Sequence, residues 1–277
     1  MSRKSFLVLL IVALFFLGFR AVQEYSRPYY TLLLRDILRS PGKMVESPLL
    51  DDVSVRLYSK TRPYAGKIST VQKGLVLLHG EEIISGDGYG FGVPVLQIKG
   101  KIWLASKARI GKFVRGDTTV LSKLFVIDTR EQDAAFPRRR YITGKKAGTV
   151  RVDYYLYGKT IEVRADFSAM LKYPVERIFM MNEQAARTFL YGLTVAREKI
   201  DPMVWEQPVL DTKIGLAAPK LGLVFWFEAH SKKFLGRELI TRWSLLGQEK
   251  INWAGCDLGI DPPVKTFRYK ITIDSLR

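Results

Sequence analysis

The chain has two imidazoles, His79 and His230, and both have acidic neighbours: Glu81 and Glu82 follow the first, and Glu228 precedes the second. Residues two apart on an extended strand share a face, so Glu228 and His230 form a carboxylate–imidazole pair suited to acid–base work. His79 and Glu81 join that pair only if folding gathers the segments. The same groups would be the donors of a metal site, but solvated residues at strand ends are the commoner outcome of this pattern, and no metal or cofactor is expected. No serine sits in a nucleophile-elbow motif, which leaves little room for a Ser-His or Cys-His arrangement. Cys256 is the one cysteine, so an intramolecular disulfide and a thiolate cluster are both excluded.

Two further stretches have the composition of ligand sites. Glycine recurs at every second position from Gly86 to Gly92. A phosphate loop needs a Lys-Ser/Thr pair and a following helix, and here Pro94 and a strand pattern follow instead. Alternating glycine and aromatic residues fit an irregular strand or loop in which backbones approach closely. In a ligand-binding version of that loop, Tyr89 and Phe91 stack on a sugar and Asp87 accepts hydrogen bonds from its hydroxyls. The run Arg138, Arg139, Arg140, followed by Lys145 and Lys146, reads as a loop between strands that binds sulfate, phosphate or carboxylate groups bidentately, or rests on anionic headgroups.

These cations belong to a wider excess. The formal net charge is +17, and from Lys99 to Arg151 there are 14 Lys and Arg against 4 Asp and Glu. Such density predicts association with a polyanion: nucleic acid, anionic lipid or an acidic glycan. An exported domain does not meet nucleic acid, which leaves membrane phosphates or an acidic surface polymer. A solvated face that only confers solubility is the competing reading.

Export is read from the N-terminus. Arg3 and Lys4 precede an uncharged apolar run of 14 residues, Phe6 to Phe19. Extended from Ser5 to Val22 as helix, it reaches about 27 Å, nearly a hydrocarbon core, with Arg20 snorkelling to the interface. Tyr25, Tyr29 and Tyr30 then fall at headgroup level. No pair of small residues marks a cleavage site, so residues 1–22 are expected to be an uncleaved transmembrane signal anchor. The N-terminus is placed in the cytoplasm and the remainder outside it. Residues 23–47 form a juxtamembrane segment with helical leaning over Leu32, Leu33, Leu34, Ile37 and Leu38, and Pro48 opens a domain running to Arg277.

Within that domain period-two alternation dominates. Val53, Val55 and Leu57 alternate with Ser54, Arg56 and Tyr58. Val93 to Ile98 and Ile102 to Ala105 flank Lys99-Gly100-Lys101, a tight hairpin connection. Val120 to Asp128 is a further strand. In the hairpin from Arg151 to Phe167, Val152, Tyr154 and Leu156 share one face, as do Ile161, Val163, Ala165 and Phe167. Further strands cover Leu221 to Glu228, Leu239 to Leu246 and Phe267 to Ile273. Asn182-Glu183-Gln184 opens one short helix ending near Gly192, with Asn182 as its cap. The expected fold is mostly β: an antiparallel β-sandwich behind a transmembrane helix.

The meander from Ile83 to Asp128, the Val152–Phe167 hairpin, the segment Ile178 to Gln184 and the closing strand Phe267–Ile273 give a strand rhythm that resembles the galactose mutarotase-like supersandwich group. That group includes aldose epimerases and the β domains of polysaccharide lyases. The resemblance implies a supersandwich-like fold and carbohydrate as ligand. The epimerase motifs with their catalytic His and Glu are not recognisable, so no catalytic residue is carried over. The reading is a membrane-anchored extracytoplasmic protein that binds an acidic glycan or envelope polymer without catalysis. The alternatives are a carbohydrate-active epimerase or lyase, and an accessory subunit of an envelope complex.

Overall fold

Alternating sequences become strands here because each has one face to bury. The structure, a computed structural model, describes residues 43–59, 73–85, 89–131, 146–185, 187–200, 207–209, 213–229, 241–245 and 254–276. β1 (Met44–Leu50), β2 (Val53–Tyr58), β3 (Val76–His79) and β4 (Glu82–Ile83) pair in sequence order as a four-stranded sheet. The folded chain is therefore already in a strand before Pro48, which lies inside β1 beside a register slip. A proline is tolerated there because β1 is an edge strand.

The second sheet contains β5 (Gly90–Ile98), β6 (Lys101–Arg115), β7 (Thr118–Glu131), β8 (Lys146–Tyr157), β9 (Thr160–Asp166), β10 (Val175–Gln184), β11 (Tyr191–Leu193) and β12 (Lys199–Ile200). It continues with β13 (Gln207–Val209), β14 (Lys213–Ala218), β15 (Leu223–Ala229), β16 (Thr241–Leu245), β17 (Ala254–Ile260) and β18 (Thr266–Ser275). Its order is β12-β11-β14-β15-β18-β9-β8-β7-β6-β5-β10-β17-β16-β13, fourteen strands with antiparallel neighbours throughout. The β5–β6 turn is made by Lys99 (φ 53°) and Gly100 (φ 68°), the two left-handed residues that a two-residue hairpin favours.

So wide a sheet curls on itself, and β5, β10 and β17 face β8, β9, β15 and β18 across one core. The Phe91 ring lies 5.7 Å from that of Phe227 and 6.0 Å from that of Phe225. The Tyr154 hydroxyl donates to the Phe91 carbonyl at 2.9 Å. The result is the two-layered, mostly β antiparallel architecture expected from alternation. Val55, Leu57 and Leu77 of the small sheet enter the same core.

One expected element is absent. Asn182, Glu183 and Gln184 are the last three residues of β10, so they do not begin a helix. Ile178 and Met180 are buried in the core, while Phe179 and Met181 pack on the other face. That period of two prevails over the local cap signal because the strand is paired on both sides, by β5 and β17. Among the described residues, helix is confined to two single turns of 3-10 type, Ser168–Met170 and Pro219–Leu221. No helix among them is long and apolar enough to cross a membrane. The run Phe6–Phe19 lies outside the described residues.

Candidate functional site

The end of β10 is where the sheet concentrates polar groups that have left water. Asn182, on the core face, is fully buried. Its Oδ1 accepts from the Tyr269 hydroxyl (2.6 Å) and the Gly92 N–H (3.0 Å); its Nδ2 donates to the carbonyls of Met180 (3.0 Å) and Cys256 (2.9 Å). These bonds tie β10 to β5, β17 and β18 and use the full capacity of the amide. Gly92 (φ 72°) makes the approach possible: a Cβ there would stand 2.9 Å from Tyr154 Cε1. Gly90 (φ 75°) permits an equally close approach to β3, since a Cβ on it would lie 2.6 Å from the Leu75 carbonyl oxygen just before that strand.

Glu183 faces the other way. It lies opposite Gly255 in register, and Met180 lies opposite Leu258. This sets Asp257 diagonal to Glu183, on the face away from Cys256 and Leu258, with one carboxylate oxygen accepting the Asn182 backbone N–H at 3.0 Å. Glu183 is only 2% exposed. Burial first, and the Asp257 carboxylate second, push its pKa well above the ordinary value, against a downward pull from Lys73. Lys73 is itself 6% exposed. The arrangement sets a carboxyl group whose pKa is raised by burial beside a second carboxyl group, the kind of pair that acid–base chemistry uses. Tyr89, Val93, Val95, Phe179 and Met181 form an apolar cluster on this side of the sheet.

A second polar surface lies on the solvent side of β8, β9 and β18. Arg151, Asp153, Arg164, Asp166, Thr266 and Arg268 line a cleft of about 360 Å³. The Arg164 guanidinium stacks 4.0 Å from the Tyr155 ring centroid, and its Nε donates to Glu162 at 2.8 Å. Arg151 Nε donates to Asp153 at 2.9 Å. Both arginine side chains remain about half exposed, at 52% for Arg151 and 47% for Arg164.

The residues singled out by sequence fall in several places. Phe91 is a correction: it is fully buried between the layers, so its ring offers no stacking surface. Tyr89 is half-buried on the apolar face near β10. His79 and Glu81 are exposed at the β3–β4 turn, with His79 opposite Val53 and Glu82. Glu228 is on the other sheet, in register between Lys213 and Lys270. The described members of the His/Glu set are thus carried by different sheets. His230, Asp87 and Arg138, Arg139 and Arg140 lie outside the described residues. Among the described residues no group of three His, Cys, Asp or Glu side chains is placed to hold a metal ion.

No protein-family model matches the chain, and no curated protein matches it in sequence. Solved structures do share its architecture. The α-N-acetylgalactosaminidase NagBb from Bifidobacterium bifidum, in its GalNAc complex, aligns with a TM-score of 0.53 at 7% identity. The alignment covers 84% of this chain and 36% of that one, so the chain spans about a third of the enzyme's length. A quadruple mutant of the same enzyme aligns at 0.51 and 6% identity over the same shares, 84% and 36%. At such identity the likeness shows the fold alone. A galactose mutarotase-like protein from Clostridium acetobutylicum is also similar, with a TM-score of 0.39 at 7% identity over 86% of this chain and 100% of that one. None of these likenesses assigns a residue of this chain a role.

Proposed function

We propose that this chain is a β-sandwich protein that binds an acidic glycan or cell-envelope polymer, held to a membrane by residues 1–22 with its domain on the extracytoplasmic side. The observation that carries the reading is the solvent face of β8, β9 and β18. There Arg151, Arg164 and Arg268 border one cleft beside the flat ring of Tyr155. Guanidinium groups match planar carboxylate and tetrahedral sulfate oxygens, and Tyr155 holds the Arg164 group at the cleft by stacking on it. The net charge of +17 draws a polyanion toward that face. That the same fold occurs in a protein described as an α-N-acetylgalactosaminidase supports a carbohydrate as the ligand.

The test is equilibrium binding of the detergent-solubilised full chain to heparin and to neutral dextran. Micromolar or tighter binding to heparin with none to dextran supports the reading; equal binding to both, or binding to neither, contradicts it. Intact-mass measurement on membrane-extracted protein tests the tether, since cleavage near Val22 would remove it.

A second reading, a carbohydrate-active enzyme, is favoured by one observation: the buried Glu183 carboxyl beside Asp257. On this reading Glu183 gives a proton to a leaving oxygen and Asp257 accepts one. Release of reducing ends or unsaturated products from an acidic glycan, abolished by Glu183→Gln, would select it over simple binding. Unchanged glycan after prolonged incubation with the wild type would exclude it.

A further inference from the structure

Arg164 and Arg268 are direct cross-strand partners in the β9–β18 ladder. Like charges set opposite one another on neighbouring strands repel, and a sheet normally places a carboxylate at one of the two positions. The carboxylates around this pair are already engaged. Glu162 takes the Arg164 Nε–H at 2.8 Å. Asp153, which faces Arg164 from β8, takes Arg151 at 2.9 Å. Asp166 turns to its own chain and accepts the Ser168 N–H (2.8 Å) and hydroxyl (2.5 Å). The Arg268 side chain is exposed and makes no direct hydrogen bond or ion pair among the described residues, with Glu162 attracting it only at longer range. Arg164 is held in place by Tyr155 and Glu162 while staying half exposed, so its guanidinium plane is pre-oriented at the cleft.

We infer that Arg164 and Arg268 form a seat for one anionic group, a sulfate or carboxylate, of the glycan that the preceding reading assigns to this face, on which the inference rests. A single tetrahedral or planar anion between two guanidinium groups removes their mutual repulsion and fills donors that the sheet leaves unmet. Arg151, already neutralised by Asp153, borders the seat and steers the ligand more than it holds it.

The test uses the full chain with heparin as the probe, at fixed ionic strength. Arg268→Gln and Arg164→Gln are each expected to weaken binding about tenfold, the loss of one charge-assisted contact. Lys220→Gln, which removes an equal charge from the exposed turn Pro219–Leu221, should stay within about twofold. Arg268→Lys keeps the charge but loses the planar fork, and it should fall between wild type and Arg268→Gln. Arg268 is exposed and Arg268→Gln relieves the cross-strand repulsion, so its melting temperature should be at or slightly above the wild-type value, which separates lost binding from lost folding. Wild-type affinity in Arg268→Gln and Arg164→Gln, or an equal loss in Lys220→Gln, overturns the seat while leaving glycan binding intact. Absence of heparin binding by the wild type removes the reading beneath it. Tight binding to phosphatidylglycerol vesicles that heparin does not compete, lost in Arg268→Gln, also overturns the seat and assigns the face to lipid.

Discussion

Replacing Asn182 with alanine tests the architecture where it is most concentrated. The side chain accepts two hydrogen bonds and donates two, reaching three neighbouring strands from a position with no exposed surface. Alanine leaves the Gly92 N–H and the Tyr269 hydroxyl as buried donors without that acceptor, each costing about 1–3 kcal/mol. Loss of the two donations and of the amide's volume adds to this, for a total of about 3–5 kcal/mol. In a domain of this size the melting temperature should fall by about 10 °C. Urea unfolding followed by tryptophan fluorescence should show the midpoint shift at an unchanged slope. Tyr269→Phe removes one donor and costs about 1 kcal/mol, because the Asn182 oxygen keeps the Gly92 bond. The double variant should then lose less than the sum of the two singles, since both act on one bond. A cost below about 1 kcal/mol for Asn182→Ala, or strict additivity, would refute the knot as a cooperative unit.

Three other outcomes follow from the buried ionisable groups. Glu183 has its folded pKa raised by burial and by Asp257, so its stabilising protonated form is fully present below the unfolded value of 4.5. Stability is lost as pH rises from there through the folded value, and Glu183→Gln should flatten that decline when urea midpoints are compared across pH 4 to 8. Lys123 runs the opposite way. Burial lowers its pKa from 10.5 to about 7, its Nζ donates to the Tyr58 carbonyl at 2.8 Å and the Lys73 carbonyl at 2.5 Å, and stability should fall as pH drops from 10.5 toward 7. Lys123→Met should remove that slope, whatever it does to stability at one pH. The Cys256 thiol is fully buried and its pKa is pushed up, first by burial and then by Asp257. A disulfide reagent should therefore modify it only on unfolding, and rapid labelling of the native protein would contradict the packing of β17.

The hairpins were legible because their signals are local. Lys99-Gly100 and Gly158 sit between runs that alternate on both sides, and each such residue adopts a positive φ. The core faces of β8 and β9 follow for the same reason, with Val152, Tyr154, Ile161 and Val163 all buried. What failed was a local signal overruled from afar. Asn182 has the chemistry of a helix cap, yet three of its four side-chain hydrogen bonds go to strands distant in sequence. The candidate sites were hidden likewise: nothing near Glu183 announces Asp257, and nothing near Arg164 announces Arg268. Sheet order alone makes them neighbours, through β10 pairing with β17 and β9 with β18. The histidine–glutamate pattern drew attention because its members are close in sequence. Glu228 instead takes its place in register between Lys213 and Lys270.

The claim that a polyanionic glycan is the ligand is tested most directly by heparin affinity as a function of sodium chloride. Binding through guanidinium contacts predicts a logarithm of the dissociation constant that rises steeply and linearly with the logarithm of salt, with a shallower line for Arg268→Gln. Affinity that is unchanged between 50 mM and 500 mM salt, or identical slopes for wild type and variant, would contradict it.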